Sequence, residues 1–147
     1  MLTCTKTYID IPFAHRAHRH DGHCALIHGH NWKFEITFAA PITDECGFVM
    51  DFGKLQSLKE EITRTFDHKL VLNSSDPLAP ELAHFLVSKK IGNTTLVPDC
   101  SCEGIAKLIY KMADRIAREE TLGRAHVQRV TVFEDSKNLA TYDAQGE

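Results

Sequence analysis

A chain of 147 residues that is 43% hydrophobic and 25% charged has the length and apolar content for one soluble domain with a real core, and nothing in it marks a second. A formal charge of -3 at pH 7, with Lys and Arg spread thinly, excludes the basic stripe that direct nucleic-acid binding needs, and no run approaches the roughly 18 apolar residues of a membrane helix. The start, Met1 to Lys6, lacks an apolar signal region and the five cysteines are irregularly spaced, so a cytoplasmic protein with free thiols is expected.

In the first expected strand Ile9, Ile11 and Phe13 share parity with His15, giving an apolar row that ends in an imidazole. Six of the nine histidines then fall between His15 and His30. His28-Gly29-His30 opens a second strand in which Trp32, Phe34, Ile36 and Phe38 alternate with Lys33, Glu35 and Thr37, ending near Ala40 before Pro41. Side chains at i and i+2 of a strand point the same way, so His28 and His30 can share one ion, and Gly29 is expected to keep the pocket floor clear. Neutral imidazole is the commonest zinc ligand, and a catalytic zinc takes three protein ligands and leaves a fourth position open. His15, His28 and His30 are the expected zinc ligands. His18, His20 and His23 read as solvated loop residues. Cys24 allows two readings: a low-pKa thiolate beside the cation, acting as base or nucleophile, or a fourth ligand that closes the shell and makes the site inert.

Thr43 to Gly47 has the composition of a turn, and Asp51 is placed to cap a helix carrying Leu55, Leu58, Ile62 and Phe66 at helical spacing. Asp67-His68-Lys69 follows it, either an exposed helix-end pair or an imidazole oriented for proton transfer. After a loop at Asn73 to Pro77, a short helix from near Pro80 to Lys89-Lys90 places Leu82, Phe85 and Leu86 on one side, and Thr94 to Val97 forms a small strand. This segment is assigned no chemistry. Ser101 begins a helix with the stripe Ile105, Leu108, Ile109, Met112 and Ile116, ended by Leu122-Gly123. Cys100-Ser101-Cys102 is a lone C-x-C and reads as buried cysteine at a helix start rather than a metal pair. The last strands run from Ala125 to about Phe133 and from Leu139 to Tyr142. Glu134 shares parity with Val130 and Val132, and a carboxylate on an apolar row must lie at the open end of the sheet or have a ligand. Walker loops, dinucleotide fingerprints and Gly-x-Ser-x-Gly elbows are missing, which removes the usual support for nucleotide hydrolysis, hydride transfer and serine hydrolysis.

Phe13-Ala14-His15-Arg16, Cys24-x3-His28-Gly29-His30, Gly47-Phe48-Val49-Met50-Asp51-Phe52, Asp67-His68-Lys69 and Glu134 stand in the order of the motifs of the 6-pyruvoyltetrahydropterin and 6-carboxytetrahydropterin synthases. The chain resembles this family over most of its length. The three-residue gap before His28 is similar to the bacterial 6-carboxytetrahydropterin synthase branch, whose product is a queuosine precursor. Where the family usually carries Pro-Thr-x-Glu-Asn, this chain has Cys100-Ser101-Cys102-Glu103-Gly104, keeping the hydroxyl and the glutamate and losing the proline and asparagine.

The resemblance implies an α+β tunnelling fold: a four-stranded antiparallel sheet with helices on one face, joined edge to edge with copies of itself into a barrel, as a trimer or a homohexamer. It also implies zinc on His15, His28 and His30, Cys24 as general base, and Asp67 and His68 relaying protons from a neighbouring subunit. Glu134 with Ser101 would hold a pterin, because a carboxylate accepts two parallel N–H bonds from its amino group and ring nitrogen. Arg16 and Lys69 are the basic residues that a triphosphate could meet. The implied reaction converts 7,8-dihydroneopterin triphosphate to 6-carboxy-5,6,7,8-tetrahydropterin with release of acetaldehyde and triphosphate. Two alternatives stay open: a 6-pyruvoyltetrahydropterin synthase that only eliminates triphosphate, and a non-catalytic zinc protein whose shell Cys24 closes.

Overall fold

In the computed structural model, which describes residues 1–144, Leu2–His15 (β1) and His28–Ala40 (β2) form a long antiparallel pair whose register sets His15 opposite His28. On β2 the alternation holds as expected, and Trp32, Phe34, Ile36 and Phe38 are fully buried. On β1 it does not. The register shifts between Tyr8 and Ile11, where Asp10 takes φ 56°, a left-handed value that a short polar side chain tolerates. This bulge turns Ile9 out to solvent and makes the buried row Tyr8, Ile11, Phe13 and His15. His15 keeps its inward direction because the bulge lies upstream of it.

After β2, the Asp51 carboxylate accepts from Gly53 N at 2.9 Å and caps a single 3-10 turn, Phe52–Lys54. The α-helix itself, Gln56–Phe66 (α1), starts later than its cap residue suggested. Leu55, Leu58, Ile62 and Phe66 are all buried along this segment, each contributing on the order of 1.5–3 kcal/mol by leaving water. The chain continues through Leu70–Asn73 (β3), Ala79–Ser88 (α2), Thr94–Val97 (β4), Cys102–Thr121 (α3), His126–Phe133 (β5) and Leu139–Asp143 (β6).

The described strands form one mixed sheet of six, in the order β4-β3-β1-β2-β5-β6. The expected antiparallel four, β1, β2, β5 and β6, are its larger part, but β3 joins β1 in parallel and β4 joins β3 in parallel. The expectation of four strands is thus corrected. Leu70-Val71-Leu72 is a short apolar run without alternation, as befits a strand covered on both faces. Val71 points into the main core with α1 and α3, whereas Leu70 and Leu72 pack with Ala79, Leu82 and Leu86 of α2. Helices therefore cover both faces rather than one, because the segment between β3 and β4 brings its own helix to the far side. No helix among the described residues is long and apolar enough to cross a membrane.

Helix α3 begins where Ser101 Oγ accepts from Gly104 N at 3.1 Å, and it buries Ile105, Ile109, Ala113 and Ile116 against the sheet. Its end uses Leu122 at φ 52° and Gly123 at φ 83°, with Gly123 N donating to Arg118 O at 2.8 Å. Gly104 has a local reason: a Cβ there would lie 2.4 Å from the Asp99 backbone oxygen, and the Asp99 carboxylate accepts from Ser101 N at 2.9 Å. Gly104→Ala is therefore expected to destabilise the fold by roughly 1–3 kcal/mol of overpacking, read as a lowered denaturation midpoint, even though alanine favours a helix by about 1 kcal/mol. An unchanged or raised midpoint would show that the Asp99 turn yields freely.

Candidate metal centre

The last residue of β1 and the first residues of β2 place three imidazoles together, with ring centroids 4.6 Å apart for His15 and His28, 5.4 Å for His15 and His30 and 5.1 Å for His28 and His30. They stand on Trp32. Its indole stacks on Phe13 at 4.3 Å and meets the His15 and His30 rings edge-on at 5.0 and 5.3 Å, while its N–H donates to Phe13 O at 3.2 Å. The floor of the pocket is thus aromatic. Gly29 faces the other side of the sheet, where an added Cβ would make an ordinary 3.6 Å contact with Phe13 O, so it does not clear the floor as expected.

Two hydrogen bonds orient the rings. His15 Nδ1 lies 2.7 Å from Cys100 O and His28 Nδ1 lies 2.7 Å from Leu26 O. A carbonyl only accepts, so each Nδ1 carries the proton and each Nε2 presents a lone pair, the tautomer that metal-ligating histidines use. Burial pushes the His15 pKa down against the opposing pull of the Cys100 carbonyl, which keeps the ring neutral. His15 Nε2 and His30 Nε2 are buried without a hydrogen-bond partner, a state that costs about 1–3 kcal/mol per group when nothing fills it. Glu134 Oε1 lies 3.4 Å from each of these nitrogens. One donor atom from each of His15, His28, His30 and Glu134 falls within 4.8 Å of all the others. Three imidazoles and a carboxylate around a partly buried point suit a divalent cation, zinc among them, so the donors present fit the expected ion.

Behind His15 stands a polar support that sequence reasoning missed. Cys100, whose carbonyl orients His15, is held by Asn73 Oδ1 accepting from its N–H at 2.7 Å and by its thiol donating to Arg16 O at 3.2 Å. Arg16 in turn forms a two-pronged pair with Asp76 at 2.7 and 2.8 Å, and donates to Ala25 O at 3.2 Å. Arg16 is therefore committed to Asp76, not presented to a triphosphate. Asp76 is 2% exposed, and the segment after β3, for which the sequence offers no chemistry, thus braces the metal ligand. The Arg16 guanidinium holds the Asp76 carboxyl at about 2, below its ordinary 3.8. Because this folded-state value is depressed, the pair stabilises fully above the ordinary carboxylate range and loses that contribution as pH falls from about 4 towards 2. Asp76→Asn is expected to destabilise by about 3 kcal/mol through the orphaned Arg16, measured by denaturant titration at neutral pH, and to remove this part of the acid sensitivity.

A cavity of about 510 Å³ opens beside the histidines, lined by His15, His28, Cys24, Ser101, Cys102 and Glu134 among others. Cys24 sits on a 3-10 turn, His23–Ala25, tied down by Ala17 N donating to Cys24 O at 2.9 Å. Among the described residues its sulfur is not in the cluster of metal donors, although it lines the same cavity as His15, His28 and Glu134. Cys100 is buried, and burial aided by the Glu134 and Glu103 charges pushes the Cys102 thiol up to about 12, so it stays protonated and donates to Val132 O at 3.3 Å. Asp67 and His68 are elsewhere. His68 Nδ1 is 2.8 Å from Asp67 Oδ1, but its side chain is 80% exposed and outside the cavity that holds Cys24. A left-handed backbone, φ 57°, presents His68 to solvent, with its N–H on Pro12 O at 2.8 Å. One chain therefore assembles His15, His28, His30, Glu134, Cys24 and Ser101, and leaves Asp67 and His68 facing outward.

The family model for 6-pyruvoyl tetrahydropterin synthase matches residues 3–145. This chain belongs to the 6-pyruvoyl tetrahydropterin synthase family. Within that family it is 43% identical over 77 residues to a 6-carboxy-5,6,7,8-tetrahydropterin synthase of Rickettsia typhi, a stretch covering 52% of this chain and 55% of that protein. The match spans only about half the length of that relative. Proteins of the same name from Aquifex aeolicus and Haemophilus influenzae align more fully: the first is 28% identical over 81% of this chain and 75% of its own length, the second 26% over 88% and 90%. Among solved structures, an uncharacterized protein from Wolinella succinogenes superposes with a TM-score of 0.83 at 19% identity, covering 98% of both chains. The 6-pyruvoyl tetrahydropterin synthase of Caenorhabditis elegans gives 0.64 at 22% identity, covering 98% of this chain and 97% of that one. At these identities the structures show that this synthase-family chain shares their fold, the tunnelling fold expected from its motifs.

Proposed function

We propose that this protein converts 7,8-dihydroneopterin triphosphate and one water to 6-carboxy-5,6,7,8-tetrahydropterin, acetaldehyde and triphosphate. The observation that carries the reading is the pair of buried, unpartnered Nε2 atoms of His15 and His30, the first of which lines a cavity shared with Cys24, Ser101 and Glu134. The names of the bacterial relatives support the carboxy product over the pyruvoyl one. Zinc held by His15, His28 and His30 would supply Lewis acidity, acidifying a neighbouring hydroxyl and C–H and stabilising enolate-like charge.

The chain's own residues do the rest. Cys24, which lines the same cavity as His15, His28 and Glu134, is the general base that removes a substrate proton. Glu134 accepts the two parallel N–H bonds of the pterin. Ser101, whose oxygen already accepts from Gly104 N, still has its hydroxyl proton to donate to the ring. His68, held by Asp67, moves protons in a neighbouring copy's site, and its outward direction supports that sharing. The working form is a homo-oligomer, trimer or hexamer, with sites between subunits.

Incubation of the zinc-loaded protein with the triphosphate, followed by mass analysis, tests the reading. The expected product is 6-carboxy-5,6,7,8-tetrahydropterin; 6-pyruvoyltetrahydropterin alone would assign the other branch of the family, and unchanged substrate would leave a metal protein without this activity.

A further inference from the structure

We propose that Glu134 is a fourth metal ligand in the substrate-free protein and leaves the metal when its carboxylate takes the pterin, so that the substrate's ring opens the site it will use. The inference rests on the pterin reading for its second half only; the first half stands on the geometry.

The two Nε2 atoms and Glu134 Oε1 are not hydrogen-bonded to one another. Their 3.4 Å separations exceed the usual N–H···O range, and both nitrogens lack a hydrogen-bond partner. For His15 the reason is chemical: its proton is on Nδ1, donated to Cys100 O, so Nε2 turns a lone pair toward a carboxylate oxygen. Two facing lone pairs repel unless a cation lies between them. Metal–ligand bonds of about 2.0–2.1 Å put neighbouring ligands of a tetrahedral ion about 3.3 Å apart. The observed spacing, equal to both histidines, is therefore that of ligands sharing one ion.

The carboxylate can also turn the other way. Its side chain is 23% exposed and lines the cavity that Cys24 and Ser101 share. Its backbone does not have to move: Glu134 N donates to Asn138 O at 3.0 Å, and the Asp135 carboxylate accepts from Lys137 N and Asn138 N at 2.7 Å each, which fixes the hairpin. The two roles exclude each other, since gripping an amino group and a ring nitrogen uses both carboxylate oxygens. A shell of three histidines and a glutamate is closed, whereas three histidines alone leave an open position. The exchange makes the metal available only when a pterin is in place to use it.

Cobalt(II) in place of zinc reports the change in ligands, with a pterin unsubstituted at its 6-position as probe, because it has no side-chain oxygens to reach the metal. In the parent protein the probe should shift the visible cobalt bands, with binding followed separately by calorimetry. Glu134→Ala should show altered bands before any pterin is added and hold cobalt on the order of tenfold or more weakly. Glu134→Gln, which keeps the shape, should behave likewise, and melting curves for both confirm that they fold. Parent-like bands and cobalt affinity in both variants would overturn the ligation. Pterin binding to the parent without a band shift would overturn the exchange while leaving the pterin site standing. Failure of the parent to bind pterin, with altered bands in the variants, would overturn the exchange and the pterin reading together and leave Glu134 as a ligand.

Discussion

Alanine at His28 or His30 is expected to strip the protein of most of its metal while leaving it folded. Outer partners of a ligand typically contribute 10–100-fold in metal affinity, so loss of the ligand itself should exceed roughly 100-fold. Activity should fall with the metal. The fold should survive because Trp32, Phe34, Ile36 and Phe38 carry the buried face of β2, and neither histidine is fully buried. Metal content by elemental analysis, alongside circular dichroism and a melting curve, checks both halves. Stoichiometric zinc retained in both variants would refute the ligand assignment. His15 is a poorer test, since its removal also orphans the Cys100 carbonyl to which it donates.

The second large effect concerns the shared site. Cys24→Ala and His68→Ala should each lower turnover by about 10²–10⁴-fold, the range of a lost general acid or base. Cys24 lines the cavity of its own chain, whereas His68 is exposed and outside it, so under the proposed sharing of sites between subunits the two variants damage different halves. Mixing the two inactive proteins under conditions that exchange subunits should restore a fraction of the activity, because some hybrid sites then carry an intact Cys24 from one copy and an intact His68 from another. Mixed oligomers verified by mass, yet inactive, would count against the shared site.

Much of this centre is legible from local pattern alone. His28 and His30 follow from alternation on one strand, and Glu134 from its parity with Val130 and Val132, because period-2 geometry sets direction over short distances. His15 follows by the same rule, but Ile9 breaks it, because a bulge is a one-residue event that alternation does not announce. The four-strand expectation failed at Leu70-Val71-Leu72, where continuous apolarity hides a strand and parallel pairing is a matter of tertiary contact. Asn73 and Asp76 were invisible for a related reason. A turn rich in Asn, Ser, Asp and Pro reads as solvated, and only the approach of Arg16 across the fold makes Asp76 a buried partner. The double placement of Glu134, near both the imidazoles and the cavity, was likewise beyond parity, which gives a face but not a distance.

The central claim is carbon–carbon cleavage at this centre, and the measurement closest to it is the ratio of acetaldehyde to triphosphate released by the zinc-loaded protein from 7,8-dihydroneopterin triphosphate. One acetaldehyde for each triphosphate, with both lost in Cys24→Ala, is the predicted result; triphosphate released without acetaldehyde would contradict it.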